Sequence, residues 1–276
     1  SSVELVEECL KRIDSREEVV GAWAYIDRDL AIKEASLRDS QHVQGPLHGV
    51  PIGIKDVIDT IDLPTEYGST IYAGHRPRRE ASCVSLVRRA GGVILGKTVT
   101  TEFALYQPGK TTNPHNPAHT PGGSSSGSAA AVADFHVPVA MGTQTSGSII
   151  RPASYCGVVG YKPTFNTFAL EGTKPLAASL DTLGYLTRTV DDLTLMREVF
   201  LGKSAVKSTF NNRPHIAICR SPFWYEATAD TRTVFEQTAE LLANSGFDIE
   251  EVDLPPSFSD LIDVHEKLMA CLLYTS

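Results

Sequence analysis

Strand-like and helix-like segments alternate along this chain, which predicts an α/β protein: a β-sheet with helices on both faces. Three observations carry that expectation. The first stretch repeats Val3, Val6, Leu10 and Ile13 at helical spacing. Strand-like runs at 22–26, 52–58 and 93–95 are separated by helical segments and bounded by glycine and proline. Towards the other end, His215-Ile-Ala-Ile-Cys219, a helix over 228–245 and a strand over 247–254 make a β-α-β unit.

Each element has a local reason. Ser1-Ser-Val-Glu4 is a capping box, with a hydroxyl and a carboxylate three residues apart satisfying the first helical N–H groups, so a helix runs from there to about Asp14. Ala22–Ile26 reads as a strand and Asp29–Arg38 as a second helix. Gly45–Gly53 carries two prolines and three glycines and forms a tight connection into a strand over Ile52–Ile58. Ala81–Ala90 is helical with Val84, Leu86 and Val87 inward; Gly91-Gly92 stops it, and Val93-Ile-Leu95 is a short buried strand. Ser128-Ala-Ala-Ala-Val-Ala133 is helical, 178–186 reads as loop, and Thr189–Phe200 is a helix carrying Leu193, Leu195, Met196 and Phe200. An amphipathic helix begins at Phe258 and runs to Leu273. No linker is visible, so residues 1–276 are expected to form one domain.

A chain of 276 residues can bury a large core. The net charge of −8, with no basic cluster beyond Arg76-Pro-Arg-Arg79, argues against nucleic acid as a partner, because phosphate binding needs a concentrated positive surface. Five scattered cysteines, with no C-x-x-C pair, fit free thiols in a reducing, cytoplasmic setting better than a disulfide frame or zinc site. No segment approaches the roughly 18 apolar residues of a membrane span. The chain starts without Met at a helix cap and stops at Cys271-Leu-Leu-Tyr-Thr-Ser276 without a C-cap signal, so it is expected to be truncated at both ends.

Two motifs match known patterns without the context those patterns need. Gly91-Gly-Val-Ile-Leu-Gly-Lys-Thr98 fits the Walker A spacing. A phosphate-cradling loop, however, follows a strand and opens a helix, whereas here a helix precedes and a strand occupies the loop positions. Lys97 is therefore read as a strand-end lysine. Gly123-Ser-Ser-Ser-Gly127 fits G-x-S-x-G, with Ser125 as nucleophile, but Asn113-Pro, Asn116-Pro and Thr120-Pro upstream forbid the central strand that such an elbow caps.

The chemistry that survives begins at Lys55, set in Pro51-Ile-Gly-Ile before it and Val57-Ile58 after, with Asp56 beside it as a supporting partner or a turn residue. A serine that acts as a nucleophile must lose its proton as it attacks, and the leaving group must gain one. A buried, neutral lysine can serve both steps because desolvation disfavours its ammonium form. Pro121-Gly-Gly-Ser-Ser-Ser-Gly-Ser128 and Gly142-Thr-Gln-Thr-Ser-Gly-Ser-Ile149 are rich in hydroxyls and uncovered N–H groups, and the apolar runs between them can hold both in a core.

Together these three segments resemble the amidase signature family, as do Gly157-Val-Val-Gly-Tyr-Lys-Pro-Thr164, Ser179–Arg188 and Gly96-Lys-Thr98. The resemblance implies a mixed central β-sheet and an amidase that hydrolyses a small carboxylic amide through an acyl-serine, with no cofactor and no metal. In that family the motif lysine matches Lys55, the serine behind a cis peptide bond matches Ser124, and the nucleophile matches Ser148. The cis bond would fall at Gly123–Ser124 and aim the Ser124 hydroxyl between lysine and nucleophile. The backbone N–H groups of Thr145, Ser146, Gly147 and Ser148 match the oxyanion loop, and Ser126 a supporting polar position. The chain departs from the family by having Gln144 where Asp is common and Ser146 where Gly is common, and by placing Arg151 three residues after the nucleophile. That last spacing resembles the malonamidase-type branch and makes Arg151 a candidate clamp for a substrate carboxylate, against the alternative of a structural arginine holding the loop. The resemblance implies a small-molecule substrate and a homodimer. Its other branch is the catalytic subunit of a glutamine-dependent tRNA amidotransferase, and a non-catalytic family member is the third reading.

Overall fold

The computed structural model describes residues 1–203 and 214–275. They group into two compact units, Ser1–Ala205 and Val206–Thr275.

In the first unit, α1 (Ser2–Val20) opens on the Ser1–Glu4 capping box. It runs past the expected end at Asp14 because nothing breaks it before Gly21, which closes it at φ 59° in the left-handed region. β1 (Trp23–Ile26) leads to α2 (Arg28–Asp39), where Asp27 accepts from Leu30 N–H as N-cap. β2 (Pro51–Lys55) ends three residues sooner than the expected strand, since Ile58 N–H turns back to the Lys55 carbonyl at 2.9 Å. α3 (Ser82–Arg89) is followed by β3 (Val93–Thr98), which outlasts the expected 93–95 because Gly96, Lys97 and Thr98 continue to pair with Gly53, Ile54 and Lys55. Then come α4 (Ser126–Ala133), β4 (Val139–Gln144), α5 (Ile150–Cys156), β5 (Val159–Tyr161), β6 (Thr182–Thr187) and α6 (Val190–Leu201).

β6 corrects the reading of 178–186 as loop. Every residue of β6 is buried. A strand covered on both faces shows no polar–apolar alternation and is hard to tell from a glycine-containing loop. Gly184 is required there, because a Cβ would sit 2.1 Å from the Tyr161 carbonyl oxygen of the neighbouring strand.

The six strands form one mixed sheet in the order β1-β3-β2-β4-β6-β5. β2 runs parallel to both β3 and β4, and the remaining pairs are antiparallel. Side chains alternate between two cores, as the pleat requires. Val93, Leu95, Ala140 and Leu186 join α1, α2, α4 and α5 on one face. Ile52, Ile54, Ile94, Met141, Leu183 and Tyr185 join α3 and α6 on the other. Each large aliphatic side chain so buried contributes about 1.5–3 kcal/mol.

In the second unit, β7 (His215–Ile218) and β8 (Asp248–Glu251) pair in parallel, joined by α7 (Ala229–Asn244), with α8 (Leu261–Thr275) following. The expected β-α-β unit is present, with a shorter second strand. No helix among the described residues is long and apolar enough to cross a membrane.

Candidate active site

β2 and β4 are neighbours and run parallel, with Ile54 opposite Met141, so their last residues emerge at the same edge of the sheet. Lys55 closes β2, and Thr143-Gln144 closes β4. The carboxyl ends of parallel strands are where open α/β sheets gather their sites. By strand alternation Lys55 belongs to the Gly53 face, and a Cβ at Gly53 would touch Thr98, Ala140 and Trp23. That is the face on which α4 packs.

α4 lies very close to the sheet edge. A Cβ at Gly127 would approach the Ala22 carbonyl oxygen to 2.2 Å and Val99 N to 2.4 Å, so only glycine allows the first turn of α4 this position. The loop feeding α4 contains a cis Gly123–Ser124 peptide bond, at the position the family resemblance implies. Ser124 lies at the end of β2, where Lys55 Nζ donates to its Oγ at 2.7 Å. Lys55 also donates to Thr143 Oγ1 at 2.9 Å and to the Thr143 carbonyl at 3.4 Å. The lysine is fully buried, and desolvation brings its pKa down to about 7, with the Asp181 carboxylate pulling the other way.

Ser148 sits in the turn from β4 to α5, half-buried. With Ser124, Thr143, Thr145 and Asp181 it lines a cavity of about 170 Å³. Its carbonyl accepts from Ser125 N–H at 3.1 Å, which ties the two hydroxyl-rich segments together. The turn is built around the Gln144 side chain. Its Oε1 accepts from the N–H groups of Ile149 and Ile150 at 2.9 and 3.0 Å, and its Nε2 donates to the Ser146 carbonyl at 2.8 Å. Thr145, Ser146, Gly147 and Ser148 form the backbone between that strand end and the helix, and Arg151 N–H closes the first helical turn on the Gly147 carbonyl at 2.8 Å. Opposite them, Asp181 accepts from the Thr145 hydroxyl and from the N–H groups of Leu176 and Ala177.

The other candidates lie outside this cavity. The Ser125 hydroxyl is buried and donates to the Thr143 carbonyl at 3.2 Å, so the serine-elbow reading has no exposed nucleophile. Ser126 donates to the Val99 carbonyl at 3.3 Å, bracing α4 on the end of β3. Arg151 directs Nε and Nη2 onto the Gly123 carbonyl at 3.0 and 2.7 Å, which is the loop-holding alternative for this residue. Lys97 is buried inside β3 and donates to the carbonyls of Ile58 and Pro64 and to Thr65, leaving no phosphate cradle at the Walker-like segment.

The cavity wall at Ala104, Leu170, Thr173 and Lys174 carries no signal in the sequence, since only the fold brings it to the serines, and Thr143 is visible only as one residue of the hydroxyl-rich segment Gly142–Ile149. Asp181 does lie in the segment Ser179–Arg188 that carries the family resemblance, which is the one local hint of its place.

The sequence model of the Amidase family matches residues 4–271. The A-type subunit of Glutamyl-tRNA(Gln) amidotransferase from Chloroflexus aurantiacus is 42% identical over 214 residues, covering 73% of this chain and 44% of that protein. The native peptide amidase of Stenotrophomonas maltophilia superposes with a TM-score of 0.85 at 31% identity, covering 99% of this chain and 62% of that one. The corresponding A-type subunit from Thermotoga maritima superposes with a TM-score of 0.81 at 28% identity, over 99% and 63% of the two chains. The chain thus spans about half the length of the curated relatives it matches. A match across nearly the whole sequence, on a fold shared with those enzymes, means that this chain belongs to the amidase (amidase signature) family.

Proposed function

We propose that the protein hydrolyses a small carboxylic amide through an acyl-Ser148 intermediate. The observation that carries this reading is a fully buried Lys55 held 2.7 Å from Ser124 Oγ, with Ser124 and Ser148 opening onto one cavity. With its pKa near 7, a large part of Lys55 is neutral at physiological pH. The neutral amine takes the Ser124 proton as Ser124 takes the proton of Ser148, whose oxygen attacks the amide carbon. The tetrahedral oxyanion is received by backbone N–H groups of the loop 145–148, each such donor being worth about 3 kcal/mol. The relay then reverses, Ser124 giving a proton to the departing nitrogen, and water clears the acyl-serine by the same route. Arg151 and Gln144 position the two loops. The family match across both units supports treating residues 1–276 as one amidase domain.

A fluorophosphonate probe tests this directly, because it phosphonylates an activated serine. The adduct should map to Ser148, disappear in Ser148→Ala, and fall sharply in Lys55→Ala. Label on Ser125 would return the elbow reading; no label would make this a non-catalytic family member.

The identity to the A-type subunits of Glutamyl-tRNA(Gln) amidotransferase favours a second reading, in which the same relay releases ammonia from glutamine for a partner protein. Glutaminase activity that appears only when partner proteins are added would select it.

A further inference from the structure

Lys174 lines the same cavity as Ser124 and Ser148. Its backbone N–H donates to the Val57 carbonyl at 2.8 Å, and Thr173 bridges Ile58, so this segment is fastened to the chain just beyond Lys55. The ammonium lies 5.7 Å from the Tyr67 ring centroid and 5.6 Å from that of Phe103. Aromatic faces hold a cation in place without neutralising it. No carboxylate among the described residues forms an ion pair with Lys174. Asp181, the acid in the same cavity, already accepts from Thr145 and from two backbone N–H groups. Thr173, beside the lysine on the cavity wall, has a buried hydroxyl with no hydrogen-bond partner among the described residues. Ala104, Leu170, Pro175, Leu176 and Ala178 supply the apolar part of the wall. The cation expected at Arg151 is engaged on the Gly123 carbonyl, whereas Lys174 lines the cavity that Ser124 and Ser148 also line.

We infer that Lys174 is the specificity determinant of the site, and that the substrate is a short amide bearing a carboxylate, bound by the Lys174 ammonium with the Thr173 hydroxyl beside it. The inference rests on the acyl-Ser148 reading and names its substrate class. An uncompensated ammonium against apolar walls favours an anionic group over a neutral one and makes a second cation unwelcome.

The test compares succinamate with butyramide, which lacks the carboxylate, in the full chain as wild type, Lys174→Met and Lys174→Arg, with fluorophosphonate labelling of Ser148 followed in all three. Wild type should prefer succinamate. Lys174→Met should raise KM for succinamate about 10- to 100-fold while butyramide turnover and Ser148 labelling change by a much smaller factor, and Lys174→Arg should keep most of the preference. Equal use of the two amides by wild type, or equal losses on both in Lys174→Met, would overturn the role of Lys174 while labelling of Ser148 still stood. Absence of labelling in wild type would instead overturn the acyl-serine reading, and this inference with it.

Discussion

Lys55 and Lys97 lie on adjacent parallel strands, both wholly buried, yet their surroundings differ in kind. Lys97 Nζ faces Asp56 Oδ1 at 3.4 Å together with two carbonyls and the Thr65 hydroxyl. Burial brings it down to about 8 and pushes the Asp56 carboxyl up, so for both partners desolvation outweighs their attraction. Among the described residues Lys55 has only hydroxyls and a carbonyl as hydrogen-bond partners, and one of those hydroxyls, Ser124, lines a cavity. Burial alone therefore does not make a lysine a base. On the proposed relay the base is the lysine whose hydroxyl partner lines a cavity, whereas Lys97 is the buried counter-ion of Asp56.

The largest expected effect separates the two by rate. Lys55→Met should slow Ser148 phosphonylation by about 10³-fold, within the range by which positioned bases accelerate proton transfer, while the protein still folds. In wild type the labelling rate should climb about tenfold per pH unit below 7 and level off above it, since the neutral amine is the active form. Stability supplies the opposite sign. A lysine with a folded pKa near 7 and an unfolded value of 10.5 binds more protons when unfolded between those limits, so wild-type stability gains with rising pH across that window. The melting-temperature advantage of Lys55→Met over wild type should accordingly shrink between pH 7 and pH 10.

Lys97→Met should act on stability instead, by about 3 kcal/mol in chemical denaturation, because it leaves Asp56 buried without its cation. Labelling per folded molecule should change little, and Lys97→Met with Asp56→Asn should recover part of the loss. A rate collapse in Lys97→Met without loss of stability would erase the distinction between the lysines.

Gln144→Ala gives the smallest effect of the set. It strips the acceptor from the Ile149 and Ile150 N–H groups, and the turn holding Ser148 loosens. Labelling should fall about tenfold, the consequence of roughly 1–2 kcal/mol of lost hydrogen bonding. Gln144→Glu, which keeps the acceptor but loses the donor to Ser146, should fall between Ala and wild type.

Much of the first unit was legible because its signals are local. The Ser1–Glu4 capping box, the glycine stop after α3 and the hydroxyl-rich segments announce themselves within a few residues. The exceptions share a cause. α1 outran its apolar repeat because nothing breaks it before Gly21, and Arg16 in the added turns reaches Asp134, more than a hundred residues away. β6 stayed hidden because both of its faces are covered by distant elements.

Residue identities and short spacings thus determined which chemistry is available: a lysine in an apolar strand, two serine-rich turns, and the membership of a family. Tertiary structure alone decided which of two buried lysines meets a hydroxyl at a cavity, that Arg151 holds the Gly123 carbonyl, that Gln144 organises the turn carrying Ser148, and that Lys174 lines the same cavity as the serines. A side chain's proton affinity and its partners are set by neighbours brought in from far along the chain, and no local pattern encodes them.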